Sequence, residues 1–383
     1  MDERVTSHAR RIERSLPADW YFDAGQYQRE LERIWYRRWI YVGRADAIPE
    51  PLDYVTHRIG TQVVLVLRDE RGAIRAFHNT CRHRGSALCR EPSGRLAGGR
   101  ITCAYHGWSY NLRGELTRLP LHDRPRPDGL DGLGLYAVAV TDWRGFIFVN
   151  LGGGEAPTFE SSVGGVLESL AHWPLAELRV GHTHSRTVQC NWKILWENYN
   201  ECLHCPAVHP ALSALVPIYR RGIMEPGDDP DWAAHCDSVD PAYRGGLRAN
   251  AVSWTMNGQA CGASFAGLTA EERRIGYHYL TLLPSMYLAA HLDYVRVVRL
   301  QPVTPEATEV FTQWLFPAAT LSAPEFDLEN AVRFAAQVMA EDAAVCELAQ
   351  QGQRALAHSC GVLLPEEYAV HDFQQWVRAE LAH

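Results

Sequence analysis

Two short segments restrict this chain more than any other feature. Residues 81–90 read CRHRGSALCR, and residues 103–110 read CAYHGWSY. The pattern is Cys-x-His, then residues 84–102, 19 in all, then Cys-x-x-His. Four residues of metal-ligand type on two loops meet only if a rigid frame holds both loops, and β-strands on either side are the natural support. Ten Cys and 17 His among 383 residues give roughly 5 chances in 10,000 of this arrangement at a fixed spacing, so four unconnected residues is the weaker explanation. A structural zinc site is a second reading, but zinc fingers pair like with like, Cys with Cys and His with His, whereas each arm here holds one of each. Such arms suit a [2Fe–2S] cluster, with the thiolates of Cys81 and Cys103 on one iron and the imidazoles of His83 and His106 on the other. Gly85 and Gly107 follow the histidines and let backbone approach a cluster closely, where N–H groups aimed at sulfur tune its potential.

Length and composition bound the rest. A chain of 383 residues is long for one domain. It is 46% hydrophobic and 21% charged, with net charge −8, which is ordinary for a globular protein and makes nucleic acid a poor partner. No apolar run reaches the ~18 residues of a membrane span, and the first 15 residues lack the apolar core of a signal peptide. Ten scattered cysteines in such a chain are expected as thiols and metal ligands, not disulfides, in a cytoplasmic protein. Residues 20–42 have helical spacing (Tyr27, Leu31, Ile34, Trp35) leading into a strand. From Tyr41 to Leu151 the pattern is short alternating runs, with DERG (69–72) as a hairpin turn. The Gly/Pro-rich run LGGGEAPTF (151–159) reads as a boundary. Beyond it, strand-like runs recur at 278–290, 294–303 and 307–316, and 325–350 fits a long amphipathic helix. The expected organisation is α+β: a helical lead-in (1–40), a mainly-β domain (41–155), and a second domain (156–383) with an antiparallel sheet and helices to one side.

A second constellation lies in NWKILWENYNECLHCPAVHP, residues 191–210. His204 and His209 are five apart, and roughly 0.7 such pairs are expected by chance at this histidine content, so the pair alone carries little. Trp192, Leu195, Trp196, Tyr199 and Leu203 form an apolar stripe, while Glu197, Glu201 and His204 fall at i, i+4 and i+7 on another face. Pro206 is expected to end this helix and let His209 swing round to His204. Asp342 sits inside the apolar stripe of the 334–349 run, where a carboxylate is costly unless paired or bound to metal. Glu341, about 100° round the helix, fits a surface role. Two imidazoles and one carboxylate make the facial triad of oxygen-activating non-haem iron(II), with positions left open for O₂ and substrate.

CRHRG, CAYHGWSY and the segment ERIWYRRWIYVGR (32–44) resemble the ligand loops and lead-in of Rieske non-haem iron oxygenases. The 84–102 gap is longer than usual in that family and suggests an inserted loop around EPSGRLAGGR. NWKxxxENxxExxHxxxxHP resembles the iron motif of their catalytic α subunits. The resemblance implies a Rieske [2Fe–2S] domain followed by a helix-grip catalytic domain, and His204, His209 and Asp342 as ligands of mononuclear Fe(II). Most ring-hydroxylating members carry Asp three residues before the first iron histidine, and here that residue is Glu201. Glu there, with HLDYVRVVRLQP (291–302), resembles the branch that oxidises carnitine and betaine-type quaternary ammonium compounds.

What the resemblance implies about the reaction follows. A separate NADH-dependent flavin reductase supplies electrons, O₂ is the co-substrate, and the assembly is a head-to-tail homotrimer. In it, His106 of one chain faces Glu201 and His204 of the next, and Glu201 bridges them. Asn198 is a candidate for the iron pocket. Trp254, Phe265, Tyr277, Tyr279 and Tyr287 are candidates for the substrate wall, where aromatic faces suit a cation, although aromatics at this density also fill ordinary cores. Aromatic-ring hydroxylation is the alternative within the family, and a Rieske electron carrier or redox sensor is the alternative outside it.

Overall fold

The computed structural model describes residues 12–120 and 129–382. They form two compact units, residues 34–164 and residues 12–33 with 165–382.

The 34–164 unit is built on a seven-stranded antiparallel sheet. Its strand order is Ile40–Arg44, Phe146–Asn150, Ala137–Trp143, Ile74–His78, Gln62–Arg68, Asp53–Ile59, Ser93–Arg95. The DERG turn closes as the sequence indicates. The Asp69 carboxylate accepts from the backbone N–H groups of Arg71 and Ala73, both at 2.9 Å, and pairs with Arg75 at 2.8 Å. The long gap between the Cys/His arms is absorbed in the sheet, since Ser93–Arg95 is the edge strand on Asp53–Ile59. A three-stranded sheet, Ile101–Thr102, Ser109–Tyr110 and Leu116–Arg118, faces it across Leu65, Leu67, Phe77, Tyr110 and Leu112. Cys81 and Cys103 are part of that core.

The other unit holds a five-stranded antiparallel sheet in the order Leu178–Val188, Ala307–Pro317, Val295–Thr304, Met286–His291, Tyr277–Leu282. The expected run 278–290 is two strands, because Leu283 and Pro284 turn the chain and proline cannot donate to the ladder. Pairing sets rows of side chains on one face. One row is His184, Thr312, Val298, Tyr287, Thr281, and the next contains Trp314, Arg296, Ala289, Tyr279. The long helix Leu328–Gln353 buries Ala331, Phe334, Ala335, Val338 and Cys346.

The N-terminal lead-in belongs to this second unit. Strand Glu13–Pro17 pairs with Cys360–Leu363. Helix Ala24–Glu30 is capped by the Asp23 carboxylate and places Glu30 against helix Trp192–Tyr199. Glu30 accepts from Lys193 Nζ at 2.6 Å, Trp192 Nε1 at 2.7 Å and Gln26 Nε2 at 3.0 Å, and both charged side chains are fully buried. Lys193 is the only lysine in the chain. The expected boundaries at 40/41 and 155/156 therefore differ from the observed divisions at 33/34 and 164/165. For the first of these the physical reason is that a fully buried ammonium needs a counter-charge, and the chain supplies it from position 30, far away in sequence.

Removing one partner of that pair leaves an uncompensated buried charge. Glu30→Ala is expected to lower unfolding free energy by about 3–5 kcal/mol, and the double change Glu30→Gln with Lys193→Met is expected to recover much of it. Denaturant melts of both variants check this, and equal stability of Glu30→Ala and the unmodified protein counts against it. On the same helix, Glu197 accepts from Tyr21 Oη at 2.6 Å and Gln374 Nε2 at 2.8 Å. Burial pushes its carboxyl up to about 7, against the pull of those donors and of Lys193. The folded state thus keeps this proton to higher pH than the unfolded chain does, and the stability it confers is lost as pH rises from the ordinary 4.5 through about 7. Glu197→Gln, which keeps a carbonyl acceptor, is expected to gain stability relative to the unmodified protein as pH goes from 5 to 8. A flat difference across that range would remove Glu197 as the source.

Candidate active site

The two Cys/His arms fold as matching turns. In the first, Cys81 N–H donates to Ser86 O and Gly85 N–H to Cys81 O, at 2.8 and 2.9 Å. In the second, Cys103 N–H donates to Trp108 O and Gly107 N–H to Cys103 O, at 2.8 and 3.0 Å. Both glycines lie four residues after their cysteine, with φ of 73° and 71°, a left-handed conformation that a side chain would strain. The sulfurs are buried, while His83 lies at the surface and His106 is half-buried. The imidazole rings are 4.7 Å apart, and Trp108 stacks on His83 at 4.9 Å. His106 Nδ1 has no hydrogen-bond partner among the described residues. Burial would raise the Cys103 thiol, but the N–H groups of Tyr105 and His106 aimed at its sulfur, with Cys81 beside it, pull it down. Tyr110 Oη accepts from Arg82 N–H and lies 3.4 Å from Cys81 Sγ, free to donate to it. Two buried sulfurs, that of Cys103 held towards the thiolate form, and an imidazole nitrogen without a partner fit a [2Fe–2S] cluster. Tyr110 was not singled out from sequence, although it ends the CAYHGWSY motif.

The second constellation departs from the expected helix. Helix Trp192–Tyr199 stops before Glu201, so Glu201 and His204 do not share its face. His204 caps a separate short helix, Cys205–Val208, and Pro206 sits in that helix's first turn, where a missing N–H costs nothing. The Glu201 carboxylate causes the break by turning back on its own loop. It accepts from Leu203 N–H, from His204 N–H at 3.3 Å, and from His204 Nδ1. Contrary to the thiol expectation, Cys202 and Cys205 are joined as a disulfide, because the same turn brings their Cα atoms to 5.0 Å. The eight other cysteines are free.

His209 ends the short helix and meets the long one. His209 Nε2 is 2.8 Å and His204 Nε2 3.5 Å from Asp342 Oδ1, and ligand atoms of all three residues lie within 4.8 Å of one another. Asn198 Nδ2 is 3.4 Å from His204 Nε2. Glu341 corrects the surface assignment. Its Oε2 is 2.8 Å from His209 Nδ1, and its Oε1 accepts from Gln337 Nε2 at 2.9 Å. Its angle round the helix is as expected, but the His209 ring spans the gap and is held at both nitrogens. Burial would lower the pKa of His204, yet Asp342 and Glu201 together lift it to about 9. Two imidazoles and a carboxylate of this geometry can hold a divalent metal, and the donor set suits iron(II). The carboxylates of Glu201 and Glu341, one at each Nδ1, orient the rings so that both Nε2 atoms face one point.

A cavity of about 260 Å³ opens beside these three residues, over the inner face of the five-stranded sheet. Trp254, Tyr279 and Tyr287 line it, as do Asn198 and Glu201. Phe265 and Tyr277 do not. Phe265 is tied by its N–H to Leu292 O, and Tyr277 starts its strand and packs behind Trp254 at 5.4 Å. Two lining residues were missed from sequence. Tyr199 stacks on Tyr287 at 4.1 Å, and its adjacency to Asn198 was the available signal. Arg296 lies within HLDYVRVVRLQP, but with Val295 and Val297 beside it and Arg299 three residues on, the segment does not show which arginine faces a cavity.

The described residues contain no helix long and apolar enough to cross a membrane. Residues 38–139 match the Rieske [2Fe-2S] domain, and residues 175–383 match the ring hydroxylating alpha subunit catalytic domain. The chain is 29% identical to a glycine betaine monooxygenase oxygenase subunit of Chromohalobacter salexigens, over 96% of this chain and 86% of that one. It is 26% identical to a chloroplastic choline monooxygenase of Spinacia oleracea, over 95% of this chain and 78% of that one. Its fold is similar to the apo crystal structure of the quaternary ammonium Rieske monooxygenase CntA, with a TM-score of 0.72, 21% identity and 96% of each chain covered. With the Rieske domain matched ahead of a catalytic domain that spans more than half of the sequence, the chain belongs to the ring-hydroxylating α subunits of the Rieske non-haem iron oxygenases.

Proposed function

We propose that the protein is the terminal oxygenase of a cytoplasmic, NADH- and O₂-dependent system that hydroxylates or demethylates a small quaternary or N-methylated ammonium compound. Cys81, His83, Cys103 and His106 hold the cluster, and His204, His209 and Asp342 hold the iron. When bound, the cluster delivers single electrons and the iron activates O₂. Glu201 accepts the Nδ1 proton of His204, which keeps Nε2 directed at the metal and gives that imidazole a polar link outward. Glu341 does the same for His209. Asn198 closes the site beside His204 Nε2. Electrons come from a separate flavin reductase, and a homotrimer brings His106 of one protomer to Glu201 of its neighbour.

The observation that carries the substrate reading is the wall of Tyr199, Tyr279, Tyr287 and Trp254 around the triad. Ring faces attract a quaternary ammonium by about 0.5–2 kcal/mol each. The glycine betaine and choline monooxygenases among the relatives agree with it. Ring hydroxylation is the second reading, favoured by the 28% identity to a biphenyl 2,3-dioxygenase subunit alpha of Rhodococcus jostii over 80% of this chain and 69% of that one. Offering glycine betaine, carnitine and choline beside benzoates and phenols, with reductase and NADH, decides between them. Coupled O₂ uptake and product are expected from at least one member of the ammonium set, with an aldehyde where a methyl group is lost. Product from the aromatic set alone would transfer the assignment to ring hydroxylation.

Two further outcomes are expected. The purified protein should contain three irons and two acid-labile sulfides per chain. His83→Ala should lose the cluster absorbance, whereas Asp342→Ala should keep it and lose turnover. One zinc and no labile sulfide would contradict both sites. Glu201→Ala should retain both metal centres and slow reoxidation of the reduced cluster by substrate and O₂ about 10–100-fold. Reoxidation at the unmodified rate would show that Glu201 is not the bridge.

A further inference from the structure

Arg296 lies on the central strand Val295–Thr304 and faces the cavity, with only 5% of its surface exposed. Its Nε has no hydrogen-bond partner, and no carboxylate of the described residues forms an ion pair with its guanidinium. Every other charged group lining the cavity is engaged. Arg186 pairs with Glu347, Glu201 with His204, and Asp342 with both iron-site histidines. Glu225 caps the turn Pro226–Asp228. His291, buried nearby, is kept neutral by burial and by the Arg296 charge, and so adds no second positive charge there.

A guanidinium out of water without a partner is costly, so its cavity-facing fork calls for an anion from outside the chain. The cavity of about 260 Å³ leaves room for one. Arg296 is flanked in its row by Ala289, the smallest side chain there, and by Trp314. Its charge is felt at the hydroxyls of Tyr199, Tyr279 and Tyr287, and Tyr287 also feels the charge of Asp342. The aromatic wall therefore shares one cavity with an uncompensated cation and the iron corner. An ammonium compound without an anionic group would bring a second positive charge into this closed space, and the two would repel.

We propose that Arg296 anchors the carboxylate of a zwitterionic substrate, a betaine, whose N-methyl groups lie among Tyr199, Tyr279 and Tyr287 towards His204, His209 and Asp342. The planar fork of arginine donates two parallel hydrogen bonds to a carboxylate, which fixes the orientation of the molecule as well as neutralising its negative charge. The assignment rests on the ammonium reading and narrows it, since it admits betaines and rejects choline.

The test is a binding grid on the iron-loaded protein, read by calorimetry. The four probes are glycine betaine (cation and carboxylate), 3,3-dimethylbutyrate (carboxylate alone), choline (cation alone) and 3,3-dimethylbutan-1-ol (neither). In the unmodified protein each carboxylate should bind at least about tenfold more tightly than its matching alcohol. Arg296→Gln should weaken both carboxylates about 10–100-fold, leave 3,3-dimethylbutan-1-ol within about threefold and bind choline no more weakly than the unmodified protein does, and Arg296→Lys should restore part of the loss. Equal binding of acid and alcohol in the unmodified protein overturns the proposal without reference to any variant, as does an equal loss of all four probes in Arg296→Gln. Failure of glycine betaine, γ-butyrobetaine, carnitine and benzoate alike to bind also overturns it. If 3,3-dimethylbutyrate binds as tightly as glycine betaine and both depend on Arg296, the anchor stands and the ammonium reading falls. If glycine betaine is preferred but Arg296→Gln changes nothing, the ammonium reading stands and the anchor falls.

Discussion

A carboxylate inside an apolar stripe is the constraint on which the catalytic unit depends. Asp342 interrupts the buried face of a 26-residue helix, between Val338 and Cys346. A charge there persists only with partners, and no neighbour on its own helix supplies them. They arrive from the loop after helix Trp192–Tyr199 as His204 and His209, both within 3.5 Å of Asp342 Oδ1. Satisfying one carboxylate thus fixes the long helix against the short helices, and so sets the position of the iron site. The next residue, Glu341, takes the far nitrogen of His209, so consecutive carboxylates address opposite sides of one ring.

The arrangement is held from behind by a second buried charge. Lys193 follows the cap residue Asn191 by two positions, and its ammonium is fully buried on Glu30. That contact ties the helix carrying Asn198 and Tyr199 to the N-terminal segment. Strand Glu13–Pro17 ties the same segment to Cys360–Leu363 near the other end of the chain. The residues of the NWK motif are therefore a clamp rather than part of the chemistry. They hold steady the helix from which Asn198 and Tyr199 reach the cavity.

The cluster loops solve a different problem, since they must present two imidazoles outward while keeping two sulfurs dry. Each turn does so with one closing N–H bond to the cysteine carbonyl and one glycine at positive φ four residues on. Because both turns have that geometry, His at the second position of one and the third position of the other still bring their rings within 4.7 Å. The unequal spacing that looks irregular in the sequence belongs to two nearly identical turns.

The sequence by itself singled out the candidate ligands. Cys81, His83, Cys103, His106, His204, His209 and Asp342 stand out as such because metal ligands are restricted to few residue types and their local spacing is fixed by turns and helices. It also determined the α+β class and most strands, because alternation and helical periodicity are local signals. What only the tertiary structure decided was everything that depends on contacts across long separations. Glu30 becomes the counter-charge of Lys193, Glu341 becomes a ring-orienting carboxylate, and Glu201 ends a helix instead of extending it. Phe265 and Tyr277 leave the cavity wall, and Tyr199 joins it. Arg296 is the sharpest case. On a strand that also carries Arg299 and Gln301 nothing local marks it out, and only the pairing of five strands shows a buried cation facing a cavity with nothing to neutralise it. Side-chain type is written locally, but the partner that gives a buried charge its meaning is chosen by packing.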